Sequence, residues 1–338
     1  MIGKEKLFAK LEKVLAQSKA DQTEIVFIGS ESALTRYANS YIHQNVAENN
    51  SRIYFRSVVD KRVGVASTNS LVLEDLKKTL ADSVAIAKTQ PENANFPGLA
   101  NPAKYKELNT FIETTANLSP RDRAKTVKKI ISRATKKKFT MAGSLANSTD
   151  EIAVLNSLGV RAYQPVTSAS VNMIAMSDTS SGYAAGTARD ITEIDFDSLA
   201  ARAVGKCDRS QNPKEIKPGD YEVILEPPAV SEMLEWLNYV SFKSKAYMQG
   251  TSFLSGKIGK KLTSDQITIY DNGLDEKSLA FPFDFEGVPK KKVYFLDKGI
   301  AKGVVYDRAS AFKERTKSTA MPLPPMKPAG ARWDLIFS

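Results

Sequence analysis

The chain has 338 residues, 42% of them hydrophobic and 25% charged, with a net charge of +10, which allows two domains that each bury a core. A single cysteine, Cys207, excludes an intramolecular disulfide, and a single histidine, His43, excludes an ordinary histidine-based zinc or acid–base site built by this chain alone. The N-terminus carries no apolar leader and no apolar run reaches the ~20 residues of a membrane span, so a cytoplasmic protein is expected.

Lys4 to Ser18 predicts an amphipathic helix, because Leu7, Leu11, Val14 and Leu15 recur at helical spacing between lysines. Glu24 to Gly29 predicts a short apolar strand, and Leu34 to Val46 carries β-formers between polar residues. Arg52 to Val59 and Arg62 to Ser67 predict two strands about an Asp60-Lys61 turn. Leu71 to Thr89 predicts a second helix with Ser70 as its N-cap and Pro91 beyond its end. Residues 91–103, rich in Pro, Asn, Gly and Ala, read as a linker. Ser119 caps a third helix with Pro120 at its first position. Phe139–Ala146, Ile152–Asn156, Val160–Pro165 and Ser168–Met176 predict antiparallel strands with a turn at Ser157-Leu158-Gly159, and Asp195 to Lys206 a fourth helix.

Asn212-Pro213 and Lys217-Pro218-Gly219-Asp220 mark a boundary. Beyond it the pattern predicts a strand (Tyr221–Leu225), a helix (Ala229–Phe242), and short strands and turns through Val305. The prolines of 319–330 exclude a regular element there. The expected fold is α+β: N-terminal helices on a mostly antiparallel sheet (1–215, with subregions 1–90 and 104–215), then a β-rich C-terminal domain (216–338).

Two basic clusters, Lys136-Lys137-Lys138 and Lys290-Lys291-Lys292, could meet an anionic partner, but no nucleic-acid motif accompanies them. Any nucleic-acid contact is expected to be weak and non-specific. Cys207 follows small and apolar residues and reads as a structural thiol rather than a nucleophile paired with His43. Asp284 and Glu286 flank Phe285 before Gly287. Paired carboxylates can do acid–base work, but a structural or partner-contacting turn is the better reading. Asn39, His43, Gln44 and Asn45 offer hydrogen-bonding groups on a polar strand edge that could take an extended peptide by strand addition; a solvated sheet face is the plainer alternative.

Several segments in order resemble the TldD/PmbA family: Thr35-Arg-Tyr-Ala-Asn-Ser-Tyr-Ile-His-Gln-Asn45, Ala153-Val-Leu-Asn-Ser-Leu-Gly159, Ser181-Gly-Tyr183, Thr251-Ser-Phe-Leu-Ser-Gly256 and Asp284-Phe-Glu-Gly-Val-Pro289. The chain looks like the PmbA (TldE) branch, since it lacks a protease motif. In the TldD branch the resemblance implies a His-Glu-x-x-x-His helix that binds metal and supplies the base. The corresponding helix here places Glu235 and Val240 at the histidine positions and Trp236 at the glutamate. Met233, Leu234, Leu237 and Val240 are then expected to pack. No catalytic or metal-binding residue is expected, although the family is one of metallopeptidases. The resemblance implies a catalytically silent subunit of a cytoplasmic metalloprotease complex, with zinc in a TldD-type partner and peptides or unfolded polypeptides as substrate. Self-association is the alternative to that partner. Peptide or partner contacts are assigned to Arg36, Tyr37, Asn39, His43, Gln44, Asn45, Asp284 and Glu286. The alternative function is an anion- or nucleic-acid-binding modulator of a DNA enzyme. Family members continue beyond the point where this chain stops, so the second domain is expected to be incomplete. That would leave Val293, Phe295 and Val305 uncovered and Trp333 to Phe337 disordered or docked.

Overall fold

The computed structural model describes residues 1–320. The proline-rich run from Pro322 and the tail from Trp333 to Phe337 lie outside the described residues.

Helix α1 (Lys4–Leu15) buries Leu7, Phe8, Leu11 and Val14, the stripe its periodicity predicts. Strands β1 (Gln22–Ala38), β2 (Tyr41–Val59) and β3 (Arg62–Thr68) follow as an antiparallel meander, and α2 (Leu73–Thr89) packs back on it. A single turn, α3 (Glu113–Ala116), precedes a second unit. That unit is α4 (Pro120–Thr135), the meander β4 (Thr140–Asn156), β5 (Arg161–Met176) and β6 (Ser181–Ala188), and α5 (Phe196–Arg209). The two units share one order, helix–three strands–helix. They join where β1 pairs with β4, giving a six-stranded sheet in the order β3-β2-β1-β4-β5-β6. This is the α+β arrangement expected, and the duplication has no repeat in the sequence to announce it.

Helices α1, α2, α4 and α5 all cover one face. Their apolar sides meet Ile25, Phe27, Ile53, Phe55, Leu155, Met141, Leu145, Val171 and Met173. Two glycines set how closely the helices approach. A Cβ on Gly64 of β3 would lie 2.2 Å from Ser83 O and Ala87 N of α2. One on Gly182 of β6 would lie 2.1 Å from Ala203 O and 2.4 Å from Cys207 N of α5. Each half therefore seats its last helix against a strand glycine.

Several boundaries differ from expectation. The segment Leu34–Val46 is not one stretch. Asn39 and Ser40 take left-handed backbone, φ 50° and 62°, and fold it into the ends of two long strands. Asp60 and Lys61 make the expected two-residue turn in the same way. Val72, not Ser70, stands at the N-cap of α2; the Ser70 hydroxyl accepts from the Val72 N–H and donates to Asp75. Ser119 caps α4 as predicted, accepting from the Asp122 N–H.

Beyond α5 come α6 (Pro227–Val240), α7 (Ser244–Met248), the short strands β7 (Ile269–Asp271), β8 (Val293–Asp297) and β9 (Ile300–Ala301), and α8 (Arg308–Lys313). Among the described residues, strand content here is limited to this one small sheet, in the order β7-β8-β9. Tyr221–Leu225 forms no strand: no described segment pairs with it, and Ile224 is 96% exposed. Phe295 and Val305 are not uncovered. They sit with Phe242, Leu254 and Leu296 in a core of their own, where Phe242 and Phe295 stack at 4.1 Å, and Val293 is half-buried beside them. The exposed apolar surface lies instead on α6. Met233, Trp236, Tyr239 and Val240 face solvent, and only Asn238 of that helix is buried. The packing role expected for Met233 and Val240 is absent among the described residues, because the small sheet covers only the opposite side of the helix.

Candidate functional site

The polar candidates of the first unit lie on the arm formed by the far ends of β1 and β2. Arg36, Gln44 and His43 are exposed; the His43 ring meets the edge of Tyr41 at 6.3 Å. Asn39 lies in the turn. Tyr37 points to the helix side, is buried, and donates its hydroxyl to Asn172 O at 3.1 Å. Burial raises its phenol well above the usual range. The Asn45 amide oxygen is held twice, by Thr35 Oγ1 at 3.0 Å and by Arg123 Nη2 at 3.2 Å. Arg123 is 1% exposed, yet its acceptors are all neutral: Thr35, Asn45, Asn147 and the Leu118 carbonyl. Burial lowers its pKa from the ordinary arginine value.

Asp284 and Glu286 lie elsewhere, on the sheet face opposite the helices. Residues 281–288 turn back there, with Phe283 packed against Val26, Ile28, Tyr54 and Val154. The turn closes through Asp284, whose Oδ1 accepts from the N–H groups of Glu286 at 2.8 Å and Val288 at 2.9 Å. Gly287 takes φ 72° at the bend, and the Tyr105 hydroxyl donates to its carbonyl at 2.8 Å. The two carboxylates are therefore offset by a turn rather than aligned along a strand.

Beneath this turn is a charge network. Arg56 of β2 pairs with Glu24 of β1 at 2.7 Å and with Glu286 at 3.3 Å. Glu286 Oε2 accepts from the Arg308 N–H at 3.1 Å, and Arg308 Nη2 donates to the carbonyls of Gly98 and Leu99, each at 3.1 Å. Glu24 is fully buried, and its Oε2, like Asp284 Oδ2, has no hydrogen-bond partner among the described residues. Burial is the largest cause of the raised pKa at both Glu24 and Asp284, and Glu286 adds repulsion at each. Arg56 is pulled down by burial, but Glu24 and Glu286 outweigh this and hold it charged. The network ties 281–308 to the sheet. Its chemistry suits positioning, since every member is engaged with another part of the same fold. Reasoning from sequence missed Glu24, Arg56 and Arg308. The one available signal was a charged residue inside an apolar strand, as in Glu24 of EIVFIG.

The remaining candidates do not join these groups. Cys207 is buried under β6, its sulfur 3.4 Å from Ser180 Oγ, with no contact to His43. Lys136–Lys138 end α4, where Lys137 pairs with Asp208 at 2.6 Å. Lys292 lies over the rings of Tyr270 and Tyr294, at 3.7 and 4.7 Å. A cavity of about 470 Å³ separates α6 from β7 and β8, lined by Leu225, Val230, Leu234, Phe242 and Phe295. Asn238 also lines it, with neither amide atom partnered among the described residues.

Three family models match this architecture in order. They are PmbA/TldA metallopeptidase domain 1 at residues 23–87, the central domain at 113–207 and the C-terminal domain at 218–328. The chain belongs to the PmbA/TldD family. It is 24% identical to an uncharacterized protein of Methanocaldococcus jannaschii over 91% of this chain and 73% of that one. It is 23% identical to a metalloprotease TldD homolog of Buchnera aphidicola over 91% of this chain and 71% of that one. Its fold is similar to the crystal structure of TldE from Thermococcus kodakarensis, with a TM-score of 0.82 and 24% identity over 92% of this chain and 73% of that one. It is also similar to a putative modulator of a DNA gyrase from Thermotoga maritima, with a TM-score of 0.84 and 21% identity over 93% of this chain and 74% of that one.

The PmbA/TldD relatives named metalloproteases imply a metal in the family. The donor set of this chain does not fit one on α6. Glu235 supplies one carboxylate, Trp236 and Val240 supply no ligand, and His43 is on the arm in another unit. Among the described residues no group of three or more His, Cys, Asp or Glu side chains is placed to hold a metal ion. No described helix is long and apolar enough to cross a membrane.

Proposed function

We propose that this chain is a non-catalytic, TldE-like subunit of a cytoplasmic metalloprotease complex that acts on peptides or unfolded polypeptides. The observation that carries the reading is the single histidine. A two-histidine zinc site cannot be assembled from His43 alone, and α6 offers Glu235, Trp236 and Val240 at the positions that the family resemblance assigns to ligands and base. Zinc and the water-activating base then belong to a TldD-type partner, and this chain helps to enclose the substrate. The open apolar side of α6 supports a partnered role, since exposed apolar surface of this kind marks interaction sites.

Two measurements test it. The purified chain, given unfolded peptides with and without zinc, is expected to show no chelator-sensitive cleavage. Sedimentation of the chain mixed with a TldD-type subunit is expected to show a complex, and cleavage only in that mixture. Zinc-dependent cleavage by the chain alone, surviving a control for contaminants, would remove the proposal.

A further inference from the structure

The positive charge of the chain is not spread evenly. Residues 241–320 hold fifteen Lys and Arg against nine Asp and Glu, so +6 of the net +10 falls on this stretch. Two of the nine acids, Asp284 and Glu286, are buried in the turn against the sheet. Part of the excess converges on a second cavity, of about 500 Å³, between α7, the chain that follows β9 and residues 316–319. Lys291, Lys302 and Lys317 line it, from three separate segments, together with Tyr247 and Tyr306. Among the described residues no Asp or Glu lines it. Lys291 and Lys317 have no carboxylate partner among the described residues. Lys302 meets Asp297 at 3.6 Å, in an exposed pair that contributes little.

Backbone donors are idle at the same place. Neither the Gly303 nor the Val304 N–H has an acceptor among the described residues, although Val304 is buried, and both residues line the cavity. Buried N–H groups are seldom left so; water or a ligand usually takes them. A Cβ on Gly303 would meet nothing nearer than Tyr294 O at 3.9 Å, so there is room against this backbone. Burial, then Glu314 and Tyr247, raise the Tyr306 pKa, so its phenol keeps its proton and remains a donor.

We infer that this cavity binds a small phosphate monoester. Three ammonium groups match a dianion, whereas a carboxylate would leave two of them uncompensated. Lysine without arginine also suits phosphate: an ammonium is a compact point charge, while the planar carboxylate is best met by a guanidinium fork. The volume far exceeds a phosphate group and falls in the range of small-molecule sites, so an organic body accompanies the anion. Ile258, Val304 and the tyrosine rings give that body an apolar wall. Nucleic acid fits less well, because a duplex needs a stripe of cations along an open face and these lysines converge on a concave one. The cluster Lys290-Lys291-Lys292 is thereby divided: Lys292 rests on Tyr270 and Tyr294, and Lys291 serves the cavity. This site does not depend on the proteolytic reading and holds or fails without it.

Calorimetry on the full chain tests the site, with phenyl phosphate, inorganic phosphate and benzoate as probes. Phenyl phosphate is expected to bind with a Kd below ~1 mM, about tenfold tighter than either of the others. Lys291→Ala and Lys317→Ala change exposed side chains, so the fold is kept, and each should weaken binding about tenfold. Lys277→Ala removes the same charge from an exposed position outside the cavity and should change binding less than about twofold. Tyr306→Phe leaves every charge in place, removes one donor, and should weaken binding about threefold. No binding at ~10 mM phenyl phosphate would overturn the inference. So would benzoate binding as tightly, an equal loss in Lys277→Ala, or displacement of phenyl phosphate by a DNA duplex at physiological salt.

Discussion

Asp284 holds two backbone N–H groups with one carboxylate oxygen and has no partner for the other among the described residues. Burial raises its folded-state pKa and that of Glu24, so the folded chain binds these protons more tightly than the unfolded one. Their contribution to stability is whole below the unfolded carboxylate range, about pH 4, and is lost as pH rises through the folded values. Asp122 and Asp190 shift the opposite way, through hydrogen bonds from Ser119 and from the Thr192 backbone, but as surface groups they are screened by solvent. Asp284→Asn keeps the turn's acceptor and removes the buried acid. It is expected to stabilise the chain at alkaline pH and to flatten the fall in stability as pH rises above the unfolded carboxylate range, measured by urea unfolding across a pH series. Asp284→Ala leaves two N–H groups without their acceptor and should cost about 1–3 kcal/mol for each that stays buried. If Asp284→Asn were as damaging as Asp284→Ala, the carboxylate would be needed in its charged form and the proton assignment would be wrong.

Elements differ in how much of them the sequence disclosed. Helix α4 was legible because Ser119 and Pro120 mark its start by a local mechanism. The Asp60-Lys61 turn was legible because apolar runs flank it. The fold at Asn39-Ser40 was hidden, since the residues on either side are β-formers and neither turn residue is glycine. Tyr221–Leu225 shows the reverse error: its alternation fits a strand, but a strand also needs a neighbour, which local pattern does not report. At the candidate site, the pairing of Glu24 with Arg56 depends on β1–β2 register, and its link to Glu286 joins residues far apart in sequence. Gly64 and Gly182 were equally silent, although each decides where a helix sits. Gly64→Ala and Gly182→Ala are both expected to destabilise by about 1–3 kcal/mol through overpacking, with larger losses if the helix backbone cannot shift. Gly219→Ala, where the nearest non-local atom is 3.8 Å away on the Tyr221 ring, serves as the control in a thermal melt.

At the scale of the molecule, stability should be uneven. The sheet carries four packed helices, whereas residues 221–240 bury one side chain, that of Asn238. Hydrogen exchange is expected to be fastest at 221–225 and on α6, slower at β8, and slowest in β1 and β4. Strong protection of 221–240 in the monomer would contradict this. The joining of two like halves through β1 and β4 also has a kinetic consequence. Within each half every strand pairs with its sequence neighbour, so loop closure is short and its entropy cost small. Among the strand pairs of the six-stranded sheet, only the β1–β4 seam joins residues more than a hundred positions apart, as in Glu24 with Asn156. Refolding is therefore expected to form two meanders early and to zip the seam last, with a populated intermediate in which amides of β2–β3 and β5–β6 resist pulse-labelling while those shared by β1 and β4 do not. Protection appearing at the seam together with both meanders would mean that the halves have ceased to be separate folding units, whatever their ancestry.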